Sequence, residues 1–166
     1  MTDTAAPDTT MAAIIEAVTA GRQGDTAGAR TRLLALWEEI TPTGDALHRC
    51  TLGHYLADLY PDAAQALIWD IRALDAAAAL TDARAQDHHA SLQVAGFYPS
   101  LHLNIADNLR RLGSFDAARE HVEAGRARVD ALPDDDYGAM LRRALVEVGE
   151  AVEAQSTEVR PTAPTM

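Results

Sequence analysis

Apolar side chains recur every three or four residues along most of the chain, in stretches separated by short breaks rich in Gly, Pro, Asp and Thr. That period marks amphipathic helices, each turning one face to a core. The stripes predict a first helix over 11–22, carrying Ile14, Ile15 and Val18, and a second over 26–40, carrying Leu33, Leu34, Leu36, Trp37 and Ile40. Between them Gly24 suits a left-handed helix end and Asp25 suits an N-cap. Thr41-Pro42-Thr43-Gly44 breaks the chain, because proline disfavours the helical conformation in the residue before it. A third helix over 45–59 carries Leu47, Leu52, Leu56 and Leu59. A fourth, over 62–80, follows the Tyr60-Pro61-Asp62 stop with Ala66, Leu67, Trp69, Ile71 and Leu74.

Thr81 and Asp82 can cap a fifth helix running to about residue 94, although its stripe of Ala83, Ala90 and Leu92 is thin. Gly96-Phe97-Tyr98-Pro99 breaks or kinks the chain before a sixth helix over 99–112, striped by Leu101, Ile105, Leu109 and Leu112. After the Gly113-Ser114 turn, Phe115, Ala118 and Val122 mark a seventh helix over 115–131. Pro133 stops it, and Asp134 to Asp136 place acid at the positive end of an eighth helix over 135–154. That helix carries Met140, Leu141, Leu145, Val148 and Val152. Residues 1–10 and 155–166 are polar and rich in Thr and Pro, and read as a disordered N-terminal tail and a flexible C-terminal tail.

The hairpins repeat. Gly24-Asp25-Thr26 with Ala29 and Leu33 superposes on Gly113-Ser114-Phe115 with Ala118 and Val122. In the middle unit Leu52-Gly53 and Leu56 match Ile105-Ala106 and Leu109, and with one extra turn residue Ala66 and Ala73 fall where Ala118 and Gly125 do. Small residues at these points let paired helices approach closely. The pattern resembles the tetratricopeptide repeat, an antiparallel helix pair of about 34 residues. The best copy is 99–133, where Leu112-Gly113, Phe115, Ala118 and Pro133 stand close to the family positions. His102 stands where the family favours Trp, and Leu109 where it favours Tyr. Units 11–42 and 45–78 are more degenerate copies, and 81–98 interrupts the series. The whole is similar to small tetratricopeptide-like proteins of actinobacteria.

The resemblance implies a single all-α domain over 11–154. It would be an antiparallel helix-hairpin array of about seven or eight helices, closed by the eighth as a C-terminal capping helix. It also implies a concave groove lined by the first helix of each pair. That groove takes Met11, Ile14, Val18 and Arg22, then His54 and Asp58, then Ser100, Leu103, Asp107, Arg110 and Arg111, with His102 beside them. His54 and Asp58 are four residues apart, as are Asp107 and Arg111, so each pair can meet on one helix face.

Composition narrows the function. The chain has 166 residues, which suits one domain, and carries a net charge of −11. That charge argues against a nucleic-acid backbone or an anionic membrane as partner and suits a basic peptide, a cationic ligand or a metal, although acidity also serves solubility alone. All 14 basic residues are arginine, so a P-loop lysine, a Schiff-base lysine and a lysine base are excluded. The lysine-free, Ala-, Arg- and Asp-rich composition matches a high-GC bacterial genome. Cys50 is the single cysteine, which excludes an intrachain disulfide and paired-cysteine zinc sites. No apolar run reaches the length of a membrane span, residues 1–10 lack signal-peptide order, and a cytoplasmic location is expected.

Candidate chemistry is sparse. His48 and His54 lie about 240° apart around a helix and cannot chelate together. His88 and His89 diverge, and there is no HExxH. A metal would need assembly across hairpins, from His54 and Asp58 with His88 or His102. Ser91 and Ser100 lie near histidines but in no nucleophile elbow. Cys50 sits on an apolar helix, where a thiol is usually structural. No catalytic residue, metal or cofactor is therefore assigned. The expected function is a non-enzymatic scaffold that binds a protein or peptide, with a basic one favoured by charge. The alternative is a small-molecule or metal-binding protein, with or without enzymatic activity, using the histidine-rich middle.

Overall fold

The computed structural model describes residues 7–89 and 93–161. Among these the chain is all-helical: α1 Thr9–Arg22, α2 Thr26–Ile40, α3 Ala46–Asp58, α4 Ala63–Ala78, α5 Asp82–His88, α6 Tyr98–Arg111, α7 Phe115–Arg126 and α8 Asp136–Glu153. Short 3-10 turns occupy Val94–Gly96 and Val129–Ala131. Most helix starts are set by local chemistry. Asp8, Asp25, Asp45, Asp62 and Asp135 each accept the backbone N–H of the residue three further on, and Thr81 does so through its hydroxyl. Each such cap satisfies an amide that has no partner inside its own helix. α6 has no side-chain cap and opens instead on Tyr98-Pro99, where proline's missing N–H costs nothing.

Two hairpin turns are built alike, as the superposed sequences predict. Gly24 and Gly113 take left-handed φ values of 107° and 79°. In both, the amide after the glycine bonds the carbonyl five residues back, Asp25 to Ala20 and Ser114 to Leu109. A side chain at either glycine would be strained there.

The helices pair as α1–α2, α3–α4 and α6–α7; α4 packs on α6, and α8 closes the array against α6 and α7. Gly53 marks the closest approach within α3–α4, since a Cβ there would lie 3.2 Å from the Trp69 carbonyl oxygen and 3.3 Å from Ala73. One core gathers Met11, Ile14, Leu33, Leu47, Leu52, Leu56 and Trp69 from the first four helices. A second gathers Leu103, Val122, Leu141, Leu145, Val148 and Val152 from the last three. Each fully buried leucine contributes about 2–3 kcal/mol. Trp37 and Trp69 meet edge to face at 5.1 Å, and the Arg72 guanidinium covers Trp69 at 4.4 Å. Among the described residues no helix is long and apolar enough to cross a membrane.

Several boundaries depart from the sequence pattern. α5 ends at His88, and Ala85 is its one buried residue. Ala90 and Leu92 of the expected stripe, with Ser91, lie outside the described residues. α7 ends at Arg126, and the 3-10 turn that follows carries Leu132, 5% exposed, into the second core. Of the expected tails, residues 1–6 and 162–166 lie outside the described residues. Residues 7–10 join the fold, since Asp8 caps α1. Residues 155–161 are laid back onto α6 by hydrogen bonds described below.

Asp8 also ties three helices together. Both its oxygens lie 2.8 Å from His48 Nε2 at the start of α3, and Arg84 of α5 donates to it at 3.0 Å. Arg84 Nε donates in turn to Asp45, the α3 cap, at 2.7 Å. Burial alone would raise the Asp8 carboxyl, but hydrogen bonds from His48, the Met11 amide and Arg84 outweigh it and hold it at about 2. A carboxyl lowered by folding stabilises above its free value of about 3.9, and that stabilisation is lost as pH falls toward about 2. Asp8→Ala is expected to cost about 1–2 kcal/mol at neutral pH. Urea unfolding checks it, and an unchanged midpoint would show the cluster to be idle.

Candidate functional site

The first helix of each hairpin, together with α8, lines one side of the array. Of the α3–α4 hairpin it is α4 that packs on α6, so α3 stands back from it. The gap is a cleft with α3 as one wall, α6 as floor and α8 as the other wall. Two adjoining cavities fill it. One of about 490 Å³ is bounded by Arg22, His54, Asp58, Leu103, Tyr137 and Glu147. The other, about 520 Å³, reaches toward the α3–α4 turn past Tyr60, Asp70, Asn108 and Arg111. They meet at Asp58, Asn104 and Arg160.

His54 and Asp58 both line this cleft. His54 Nδ1 is closed off from solvent without a hydrogen-bond partner. It lies 4.0 Å from Oδ1 of Asp70, which is 1% exposed. The Asp70 carboxyl accepts from Asn108 Nδ2 at 2.9 Å and Asn104 Nδ2 at 3.4 Å. Burial strips water from Asp70, the Asp58 charge adds to the effect, and the carboxyl is pushed well above the usual range despite the two asparagines. Burial likewise lowers the His54 imidazole, against the pull of Asp58. The surrounding walls raise Asp58, opposed by His54 and Arg22, although its side chain keeps open surface inside the cleft. The site is thus a neutral-leaning imidazole and two reluctant carboxylates at the wall of an open cavity.

The other residues assigned from sequence scatter. Ser100 lines the cleft but spends its hydroxyl on the Phe97 carbonyl at 2.9 Å. Asp107 and Arg111 do not pair. Asp107 holds Arg110 and Arg160, while Arg111 donates to the Pro61 carbonyl at 2.7 Å and borders the second cavity. Arg110 is 0% exposed and is not a ligand contact. Its guanidinium reaches Asp107 at 2.7 and 3.1 Å, the Ser156 carbonyl at 2.6 Å and the Glu158 carbonyl at 2.8 Å. Helical rotation turns His102 away from the cleft toward α7, where its Nδ1 lies 2.9 Å from His121 Nδ1 and its ring stacks with Tyr98. Met11 and Ile14 are core residues, 2% and 0% exposed.

Asp70 and Asn108 escaped the sequence reading, as did Glu147 and Arg160. Asp70 carried a signal: it interrupts the buried small-residue stripe Ala63, Ala66, Ala73 and Ala77 of α4. Arg160 carried none, because it lies beyond the last helix. His54 borders the cleft while His102 meets His121 of α7. Among the described residues no group of three or more His, Cys, Asp or Glu is arranged to hold a metal. Cys50 is 5% exposed, and burial pushes its thiol up to about 12, which removes it as a nucleophile near neutral pH. Compared with known proteins, the chain matches no family model, no characterised protein and no solved structure.

Proposed function

We propose that this chain is a non-enzymatic binding scaffold, a tetratricopeptide-like array whose concave cleft holds an extended segment of a partner protein. His54 is the observation that supports this reading most. A buried polar atom without a hydrogen bond costs roughly 1–3 kcal/mol and is uncommon in folded proteins. Here that atom sits beside a buried carboxyl at the wall of an open cleft, where strained protonation states mark binding sites. The non-enzymatic reading rests on the neighbours. An imidazole and two carboxyls line the cleft, but the adjacent thiol is protonated and the Ser100 hydroxyl already serves the backbone. The net charge of −11 steers a basic segment toward the molecule.

The test is capture of partners from the native host, followed by measurement of Kd for the captured protein against wild type, His54→Ala and Asp58→Asn. The variants are expected to weaken binding at least tenfold while circular dichroism stays native. Equal affinities would overturn the assignment of the cleft. A small-molecule reading draws support from a side pocket of about 160 Å³ between Cys50, His54, Tyr55, Phe97, Leu101 and Tyr137, large enough for one ring-sized group. In that case His54→Ala would leave protein binding intact.

A further inference from the structure

The cleft already contains a piece of this chain. After α8, Gln155 takes a left-handed φ of 51°, and the Ser156 amide bonds the Ala151 carbonyl at 2.9 Å. This is the same reversal that Gly24 and Gly113 make, here forced on a residue with a side chain. It turns the segment back over α6, where Arg110 holds the carbonyls of Ser156 and Glu158. Arg160 then enters the cleft between two acids on opposite sides. Its Nε lies 3.3 Å from Asp107 Oδ1 of α6, and one terminal nitrogen donates to Glu147 Oε2 of α8 at 2.9 Å. Pro161 biases Arg160 toward extended backbone.

The fit is specific in charge but incomplete elsewhere. The Arg160 side chain is 12% exposed and borders both cavities. Its Nε is buried without a hydrogen bond of good geometry. Val159 beside it is 63% exposed, so no apolar anchor locks the segment down. Main-chain carbonyls and one guanidinium hold it, and these are features that another extended peptide with an arginine can reproduce.

We infer that residues 155–161 are a tethered occupant of the cleft, seated where an arginine-bearing extended segment of a partner binds in their place. This rests on the cleft being the binding surface, and adds the partner's chemistry and a built-in competitor. A segment tethered by a few residues competes at an effective concentration in the millimolar range. A partner must displace it, and loosening the segment raises apparent affinity without any new contact.

The probe is a fluorescently labelled peptide of residues 155–166, titrated into the full-length chain and followed by anisotropy. In Arg160→Glu the new carboxylate is repelled by Asp107 and Glu147, so the tethered segment leaves and the free peptide is expected to bind at least tenfold more tightly than to wild type. Adding Glu147→Gln to that variant is expected to reverse the gain. Arg160→Ala provides the same comparison should the charge reversal impair folding. Equal binding to wild type and to both Arg160 variants, or no binding to any of them at millimolar peptide, would overturn the inference. The cleft assignment fails separately, on unchanged partner affinity in the His54 and Asp58 variants.

Discussion

Arg110→Ala is expected to destabilise the protein by about 3–4 kcal/mol, the range seen when one member of a buried charged network is removed. Arg110 lies on the floor helix of the cleft, is fully buried, and spends its guanidinium on Asp107 and on two carbonyls of the returning segment. Truncation leaves the Ser156 and Glu158 carbonyls without their donor and opens a cavity under residues 155–161. The urea midpoint should fall accordingly, and proteases should cut after Ala154 faster than in wild type. Arg110→Lys should recover only part of the loss, because an ammonium cannot reproduce the planar fork that reaches three acceptors at once. An unchanged midpoint in Arg110→Ala would mean that the segment is held by something other than this guanidinium.

Mild acid should bring the other large effect, through the His102–His121 pair. With the two Nδ1 atoms 2.9 Å apart, one ring donates and the other accepts, so the pair holds one proton between them. Burial, the neighbouring His121 and the Arg128 charge push His102 down to about 4, and burial lowers His121 as well, against Glu120. The unfolded chain takes up these protons near pH 6.5, well before the folded chain does. Stability is therefore complete above about pH 6.5 and declines as pH falls toward about 4. For His102 the gap corresponds to about 3 kcal/mol. Asp70 works in the opposite direction, since its raised carboxyl favours the folded state at low pH. The wild-type profile sums both effects, and the informative quantity is the difference from His102→Gln. Urea midpoints of the two proteins should converge as pH falls from 7 to 4.5. Parallel profiles would show that the histidine pair does not titrate with unfolding.

The two hairpin turns and the eight helices were legible because their causes are local. Gly24 and Gly113 announce left-handed ends, and Asp25, Asp45, Asp62 and Asp135 announce starts. The apolar stripes supply the faces. His54 and Asp58 were legible for the same reason, since four residues along one helix fixes a common side. The failures share one cause too. Asp107 and Arg111 satisfy the same spacing, yet a guanidinium from residue 160 takes Asp107 and a carbonyl from residue 61 takes Arg111. His102 sits on the expected helix but faces α7, because α6 is wedged between α4 and the α7–α8 pair and only one strip of it is left to floor the cleft.

The amino-acid sequence by itself determined the helices and most of their caps, because hydrogen bonds and the 3.6-residue period act within a few residues. It also determined the net charge of −11 and the absence of lysine. Only the tertiary structure decided that α3 stands off α6, that Asp70 comes to lie under His54, and that Arg160 fills the space between Asp107 and Glu147. Those contacts join residues 13 to 53 positions apart, through the angle at which one hairpin rests on the next. That angle is set by how whole helix faces interlock, and no short stretch of sequence carries it.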